Sequence, residues 1–414
     1  MPVALCAPSR RLSSTLLLAG ALALPGLGRA QAPAPVSAAD APIRIGIIFP
    51  LTSGSSDMGT SARVGAQVAV DEINELGGYL GRKLELVVRD DKGNPDEALK
   101  VSLDLVENEK VTATVGFCNT GNAVKALDVF QKAKHVLIVS CATGTVLTAK
   151  YPAAESYIFR TSARDELQTQ FLINELVKRK LTRPALLVDK SGYGDTGLKD
   201  LEAALGKAGL KAQFVARFPV GAKSLEDEIT KARDSGADSL IGWTVGPESG
   251  VIAASRAKVG WKVPHFGPWG LSHRSALENS GGAVEGTMMV QTILPNHFLE
   301  RHQSFFARYT KQSKERTIGS MMSAAQTYDA VHLLLRAMFQ GKGDFTGPGI
   351  KKALETLARP YRGVVTTYTE PFTASDHDAI SANMLWLGTW RGGERVYFYQ
   401  DDAQKASVLR RKEL

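Results

Sequence analysis

Apolar and polar positions alternate in a regular way from residue 42 onward. Ile43–Phe49 is a short apolar run rich in β-branched residues, which predicts a buried strand. Small and apolar residues then recur about once per helical turn, which predicts a helix over 60–76 that ends at Gly77 and Gly78. Strands are predicted again at 84–90, 114–117 and 136–139. The pattern predicts an α/β fold with a parallel sheet.

Each of three apolar runs ends in a loop of small polar residues that opens the next helix. These loops are Pro50–Gly59, Cys118–Asn122 and Ser140–Thr145. In a parallel sheet such loops meet at the carboxyl edge, where ligands bind. The unpaired N–H groups of several helix starts then face one spot, which suits a carboxylate or another anion. The sequence therefore predicts a small-molecule binding site.

A second α/β set follows, and then a mainly helical stretch. We predict strands at 185–189, 212–218, 239–243, 264–267 and 288–292, and helices at 165–179, 196–207, 224–234, 248–259, 298–311, 320–339 and 348–357. Residues 363–400 are rich in Val, Thr, Tyr and Trp, which predicts a terminal β region. A chain of 414 residues is too long for one core, so two lobes are expected.

Composition excludes several classes of partner. The chain is 44% hydrophobic and 22% charged, with a formal net charge of +8. The positive charges are scattered and no Lys/Arg run is interleaved with aromatic residues, so a nucleic-acid partner is not expected.

The first 41 residues have the pattern of an export segment. Arg10 and Arg11 precede the apolar run 16–24, and small residues follow at 28–32, which predicts a signal peptide over 1–30. The run is too short to span a membrane. Residues 31–41 are rich in Ala and Pro and predict a flexible tether. A periplasmic location is expected.

Two cysteines, Cys118 and Cys141, remain beyond the predicted signal peptide, and each directly follows a predicted strand. If those strands are neighbours, a disulfide can form in an oxidising compartment. The alternative is two small, half-buried residues that never pair. A metal site is not expected, because zinc requires about four ligands at defined spacings.

Motifs for catalysis are missing from the sequence. We find no nucleophile elbow, no phosphate-binding Gly-rich loop and no His-Glu-x-x-His or Cys-x-x-Cys pattern. We therefore expect no catalytic residue and no cofactor, and predict that the chain is not an enzyme. His377, between Asp376 and Asp378, is predicted to lie in a solvated turn rather than at a metal.

Several sequence pieces occur in a specific order between about residues 42 and 400. They are Ile43–Ile47 with Pro50–Gly54, Ala69–Asn74 with Gly77 and Gly78, Gly81–Asp91, Ser140–Thr143, Phe159–Thr161, Tyr193 and Gly194, Gly286 and Thr287, and Ala324–Ala330. In this order they resemble the periplasmic leucine/isoleucine/valine-binding proteins of ABC importers.

The resemblance implies the type I periplasmic-binding-protein fold, with two doubly wound α/β lobes joined by a three-strand hinge. Lobe 1 would comprise 42–160 plus 293–362, and lobe 2 161–292 plus 363–400. Residues 401–414 would form a C-terminal tail.

The resemblance also implies a set of ligand-binding residues. Lobe 1 would hold the ligand carboxylate through Asn119 and Thr120 and through Ala142 and Thr143, with Ala142 acting by its backbone. Tyr193 of lobe 2 would fold over the ligand. Met58, in the first loop, is a further candidate for lining the pocket.

One position departs from the family pattern. Trp269 stands where amino-acid binders of this family have an acid that meets the substrate ammonium. An ammonium buried without a partner is expensive, which disfavours a standard α-amino acid. An aromatic face at this position favours an aryl carboxylate, a keto acid or another apolar acid, unless a cation–π contact replaces the carboxylate.

The function implied by the resemblance is extracytoplasmic capture of a small carboxylate-bearing ligand, either amino-acid-like or an aromatic or keto acid. The protein would be a monomer that delivers its ligand to an inner-membrane ABC permease. The alternative is a ligand-sensing receptor domain with the same lobes.

Overall fold

The computed structural model describes residues 41–408 and 410–413. The predicted signal peptide and all but the last residue of the predicted tether therefore lie outside the described residues. The strands form a five-stranded sheet, a seven-stranded sheet and a separate two-stranded sheet. The predicted α/β class is confirmed. No helix in the described part of the chain has both the length and the apolar character that crossing a bilayer requires.

The first sheet is entirely parallel, with the order β2-β1-β3-β4-β5. Its strands are β1 (Ile43–Phe49), β2 (Leu84–Asp90), β3 (Ala113–Gly116), β4 (Leu137–Val139) and β5 (Ile158–Arg160). Ile45 pairs with Leu86 on one side and Ala113 on the other. The apolar run that predicted β1 is thus buried between two neighbouring strands, as expected for a central parallel strand.

Four helices follow the first four strands of this sheet. They are α1 (Ser56–Glu75), α2 (Pro95–Leu103), which continues as a π-helical turn over Asp104–Asn108, α3 (Thr120–Lys132) and α4 (Val146–Ala149). Helix α1 begins four residues before the predicted start at Thr60. Its first turn contains Asp57, whose charge is favourable at a helix N-terminus, so polar residues that resemble a loop are helical here.

The second sheet has the order β14-β13-β10-β9-β8-β6-β7 and is parallel from β10 to β7, while β13 and β14 are antiparallel. Its strands are β6 (Pro184–Asp189), β7 (Phe214–Phe218), β8 (Ser239–Trp243), β9 (His265–Gly267), β10 (Met288–Gln291), β13 (Trp386–Arg391) and β14 (Glu394–Tyr397). The accompanying helices are α5 (Asp165–Lys178), α6 (Gly192–Lys207), α7 (Glu226–Asp234), α8 (Gly246–Lys258) and α9 (Arg274–Ser280).

After β10 the chain returns to the first sheet. The helices α10 (Glu300–Ser313), α11 (Met321–Gln340) and α12 (Gly347–Glu355) follow, and α10 and α11 pack against α1. With the passages after β5 and before β13, the chain crosses between the two sheets three times. Three crossings are the connectivity expected of the three-strand hinge that the resemblance implies.

A short hairpin, β11 (Tyr361–Arg362) with β12 (Thr367–Tyr368), is attached to α11 by a buried carboxylate. Asp329 accepts hydrogen bonds from the N–H groups of Val364 and Val365, both at 2.8 Å, and from the hydroxyl of Tyr361. The predicted lobe boundary at 362/363 lies between the two strands of this hairpin. Because the hairpin contacts α11, which packs against α1, both of its strands lie on the side of the molecule that contains the first sheet. The division into two moving lobes stays a prediction.

Only part of the predicted β region at 363–400 forms strands. Residues 369–385, which connect β12 to β13, contain no β-strand element. The prediction of a solvated turn at His377 is wrong. Its ring is buried, stacks on Phe159 with 3.9 Å between centroids, and has Nδ1 2.9 Å from the Ile158 carbonyl. Asp378 pairs with the fully buried Arg160 at 2.5 Å. The predicted tail at 401–414 contains the short helix α13 (Asp402–Ala406).

Candidate ligand-binding site

A cavity of about 370 Å³ lies where the carboxyl ends of the two main sheets face each other. Its walls come from the loops and helix starts that follow β1–β4 on one side and β6–β9 on the other. The residues from the first side are Ser53–Ser55, Met58, Gly93, Pro95, Cys118–Asn122 and Thr143, and those from the second are Asp189, Ser191–Tyr193, Val220, Thr244, Val245, Glu248, Trp269, Gly270 and His273. The predicted sheet edge is thus the wall of this cavity.

Four long helices, α1, α3, α6 and α8, begin at the cavity. The first N–H groups of a helix have no acceptor inside it and form a partially positive end. A side chain caps only one of these four helices: Ser191 Oγ accepts from the N–H groups of Tyr193 and Gly194 at the start of α6. The N-cap residues of α1, α3 and α8 make no side-chain cap. In the first turn of α1, however, Asp57 Oδ1 accepts from the Met58 N–H at 2.8 Å, and the first turn of α8 contains Glu248. The start of α3 has neither a cap nor an acid, so it favours a negatively charged group.

The structure brings six of the seven predicted ligand-binding residues to this cavity. They are Met58, Asn119, Thr120, Thr143, Tyr193 and Trp269. Thr120 Oγ1 also accepts from the Gly144 N–H at 3.2 Å, which links the loops after β3 and β4. Whether these residues contact a ligand stays a prediction.

Ala142 is not part of the cavity wall. Its N–H donates to the Phe117 carbonyl at 2.8 Å, its carbonyl accepts from Ser162 Oγ at 2.6 Å, and its side chain belongs to the core between the first sheet and α3. The backbone role predicted for this residue would need an N–H that the fold already uses.

The two cysteines, whose pairing the sequence left open, form a disulfide between the loops after β3 and β4, with 4.5 Å between their Cα atoms. Phe117, directly before Cys118, has a φ of +30°, an unusual conformation for a bulky residue. The chain therefore turns sharply at the end of β3. This turn and the disulfide fix the loop that contains Asn119.

Aromatic rings cover the cavity from the second side. Tyr193 is 8% exposed, and its ring lies 5.8 Å from that of Trp243. Trp269 is held by its backbone N–H, which donates to Gln168 Oε1 at 3.2 Å, and its ring meets His273 edge-on at 4.9 Å. Burial raises the pKa of the Tyr193 phenol well above its usual value and lowers that of the His273 imidazole. Both groups are therefore neutral near pH 7.

Three titratable residues of the wall were not predicted: Asp189, Glu248 and His273. Asp189 directly ends β6 and Glu248 lies in the first turn of α8. The rule that ligands bind beyond the carboxyl ends of parallel strands applies to them as well as to the predicted residues. That signal was present in the sequence, but the family positions pointed elsewhere.

The two sides of the cavity touch each other around its rim. Ser275 Oγ donates to Asp57 Oδ2 at 2.6 Å, and Thr145 Oγ1 donates to Asp200 Oδ2 at 2.8 Å. At the starts of α3 and α6, a Cβ added to Gly192 would lie 3.2 Å from the Gly121 Cα. Direct contacts therefore join the halves that hold the two main sheets.

Comparison with known proteins identifies the family to which the chain belongs. A family model described as periplasmic binding protein matches residues 42–402. The chain is 31% identical over 254 residues to the Leu/Ile/Val-binding protein homolog 3 of Brucella melitensis. The aligned region covers 61% of this chain and 68% of that protein.

Solved structures show the same fold. A substrate-binding protein of a branched-chain amino acid transporter from Streptococcus pneumoniae, in complex with isoleucine, matches 86% of this chain and 97% of its own, with a TM-score of 0.73 and 23% identity. A solute-binding protein of an ABC transporter from R. palustris, in complex with 4-hydroxybenzoate, matches 86% and 95%, with a TM-score of 0.74 and 19% identity. At these identities the likeness shows the fold alone.

Proposed function

The chain belongs to the periplasmic binding protein family, and we propose that it is the extracytoplasmic solute-binding protein of an ABC importer. We propose further that it captures a small carboxylate-bearing ligand between its two lobes and presents the closed form to an inner-membrane permease. The predicted signal peptide and the Cys118–Cys141 disulfide support a location outside the cytoplasm.

The observation that supports a carboxylate most directly is the start of α3, which lies at the cavity without a side-chain cap and without an acid in its first turn. The first turns of α1 and α8 already contain the carboxylates of Asp57 and Glu248. Among the described residues of the wall there is no Lys or Arg, so main-chain N–H groups are the main source of positive potential. A ligand held in this way can be anionic without a cationic side chain.

Closure follows from the placement of the wall on both sides. A ligand in an open cleft would touch one lobe, and it gains the contacts of the other lobe only when the cleft closes. Binding therefore shifts the equilibrium between open and closed forms toward the closed form.

The size of the cavity and its aromatic wall limit the ligand to small molecules. The comparison proteins include one in complex with isoleucine and one in complex with 4-hydroxybenzoate, so both amino acids and aromatic acids are reasonable first candidates.

The test is a calorimetric and thermal-shift screen of the mature protein against amino acids, 2-oxo acids and benzoates, with neutral sugars and amines of similar size as controls. We expect binding in the carboxylate group only, with a smaller radius of gyration in solution when ligand is bound. Preferential binding of a neutral sugar, or tight binding without compaction, would contradict the proposal.

A further inference from the structure

The C-terminal residues pack along two of the three crossings between the main sheets. We call residues 402–408 and 410–413 the C-terminal strap. The region matched by the family model ends at residue 402, so almost all of the strap lies beyond it. The first part of the strap is α13, and the second part runs back along the segment that leads into β13. The strap therefore contacts the chain where it passes from one sheet to the other.

Helix α13 is attached to the crossing that follows β10. Asn296 Nδ2 donates to the Ala403 carbonyl at 2.6 Å. Leu294, on the same crossing, is fully buried in an apolar cluster with Trp386 of β13. Ala403 packs against this cluster. The crossing after β10 is thus joined to the second sheet through α13.

The residues after α13 are attached to the crossing that precedes β13. The Arg410 guanidinium lies over the Trp386 ring, 3.9 Å from its centroid, and donates to the Asn383 carbonyl. Asn383 Nδ2 in turn donates to the Arg411 carbonyl at 2.8 Å. These contacts hold the strap on the side of the second sheet, because Trp386 begins β13.

Lys412 reaches the side of the first sheet. Its side chain is 4% exposed, and Nζ lies 2.7 Å from Asp376 Oδ2 and donates to the Pro371 carbonyl at 3.0 Å. The Phe372 ring, next to this carbonyl, meets the ring of Phe159 in β5 edge-on at 5.1 Å. An ammonium group that is nearly buried between two acceptors is held more firmly than an exposed ion pair. Lys412 therefore joins the strap to the first side.

The two attachments of the strap are close together in sequence. A single residue separates Arg410 from Lys412, so their Cα atoms lie at most about 7 Å apart. The chain between Asp376 and Trp386 is longer and could change its course if the two sides moved apart. The strap therefore limits that movement more than the crossing does. Its contacts occur in the arrangement in which the rim of the cavity is joined.

We propose that the C-terminal strap stabilises the closed form of the protein by tying the two sides together across the hinge, with Lys412 as its attachment to the first side. The inference rests on the proposed function, in which the two sides open and close. Opening breaks the Lys412 contacts, so loss of the strap shifts the equilibrium toward the open form. A ligand that binds the closed form then binds more weakly, because a smaller fraction of the protein is competent.

The test compares the mature wild type with Lys412→Met and with a variant that lacks residues 409–414. Leucine and 4-hydroxybenzoate are the probes for calorimetry, and small-angle scattering gives the radius of gyration. We expect the affinity for a probe that binds to fall about 5-fold in Lys412→Met and about 10-fold in the deletion, since hydrogen bonds to a charged group have this strength. The ligand-free variants should have a larger radius of gyration than the wild type and should reach its compact value at saturation.

Arg411→Met is the matched control. Arg411 is exposed and contacts the crossing through its carbonyl, so the substitution removes the same charge and leaves that contact in place. It should keep the affinity and the radius of gyration of the wild type. Lys412→Arg retains the charge and the donors and should restore most of the affinity. Thermal unfolding verifies the fold of each variant, and Lys412→Met carries the test if the deletion does not fold.

Two results would overturn the inference. One is an unchanged or higher affinity in Lys412→Met, and the other is an equal loss in Lys412→Met and Arg411→Met. If no acid binds to the wild type, the proposed function fails, but the strap is still tested by the ligand-free radius of gyration. An increase in Lys412→Met that is absent in Arg411→Met then supports the strap, and equal radii for both variants and the wild type refute it.

Discussion

At the scale of single residues, Asn119 shows how one side chain shapes the cavity wall. Asn119 occupies the N-cap of α3, yet its side chain does not cap the helix: Nδ2 donates to Ser55 Oγ at 3.1 Å, and Oδ1 is buried without a partner. The first N–H groups of α3 therefore stay open to a ligand. Asn normally caps a helix N-terminus with its side chain, but Asn119 does not do so here.

Asn119→Asp tests whether the start of α3 holds an anion. The new charge should compete with the ligand carboxylate and weaken binding by about 10-fold or more, because like charges in contact cost several kcal/mol. Stability should not fall, since Asp is a favourable N-cap. Asn174→Asp is the control, because it adds the same charge at an exposed position of α5 that is not part of the cavity wall. Unchanged affinity in Asn119→Asp, measured by calorimetry, would place the carboxylate elsewhere.

Asp165, at the start of α5, introduces a pH dependence of stability. It is fully buried, and burial raises the pKa of its carboxyl to about 8. Gln168 Nε2 donates to its Oδ1 at 3.3 Å, and the other groups around it are Thr143, Asp200, Arg160 and Tyr193. The folded protein thus keeps this proton at pH 7, whereas the unfolded chain releases it near pH 4.

The sign of the effect follows from proton linkage. Between about pH 4 and 8 the unfolded state holds fewer protons at this site, so the stability contributed by Asp165 falls by up to about 1.4 kcal/mol per pH unit. Asp165→Asn lacks this dependence, so the free energy of unfolding of the variant should gain on the wild type as pH rises. Urea unfolding at pH 4.5, 6 and 7.5 measures the difference. Parallel curves for the two proteins would show that the carboxyl is ionised in the fold.

At the scale of elements, the site depends on how two neighbouring loops are held together. The loops after β3 and β4 are joined by the Cys118–Cys141 disulfide and by the bond from the Gly144 N–H to Thr120 Oγ1. Asn119, Thr120 and Thr143 lie directly beside these links. The spacing of these three wall residues is therefore fixed by the fold itself.

Reduction of the disulfide should destabilise the protein. The bridge joins cysteines 23 positions apart, and closing a loop of this length contributes about 3 kcal/mol in the chain-entropy model. We expect the urea midpoint of the wild type to fall when dithiothreitol is added. The double variant Cys118→Ser/Cys141→Ser should unfold at the lower midpoint with or without the reductant. An equal midpoint for oxidised and reduced wild type would mean that the bridge contributes nothing.

At the scale of the whole molecule, the two sides of the cavity approach each other at the starts of α3 and α6. A Cβ added to Gly192 would lie 3.2 Å from the Gly121 Cα, whereas one added to Gly121 would meet nothing within 4 Å. The close approach therefore depends on the small size of Gly192, and a larger side chain there would push the two sides apart.

Gly192→Val should hinder closure without unfolding either half. We expect ligand affinity to fall by about 10-fold and the ligand-bound radius of gyration to remain larger than that of the wild type, because the closed form becomes less accessible. Gly206→Val on the same helix is the control, since a side chain at Gly206 meets nothing within 4 Å. If Gly192→Val kept the affinity and the compaction of the wild type, the close approach of α3 and α6 at Gly192 would not be needed for closure.

The sequence by itself determined the alternation of strands and helices, because each buried parallel strand must be a short apolar run and each helix must show an apolar stripe. It also predicted that the loops after β1, β3 and β4 come together, since parallel strands end at one edge, and these loops line the cavity. Helix starts were less predictable. The starts of α1 and α6 consist of the same small polar residues as the loops, so the sequence does not distinguish the two.

The tertiary structure alone decided which polar groups face each other. That Ala142 uses its N–H within the fold, that His377 is buried against Phe159, and that Glu248 accepts from the Gly221 N–H all depend on contacts between residues far apart in sequence. The sequence pattern predicts which face of a helix or strand is buried, but it does not predict which other element that face contacts. The charge balance of the cavity is set by those partners, so it became visible only when the two sheets were placed together.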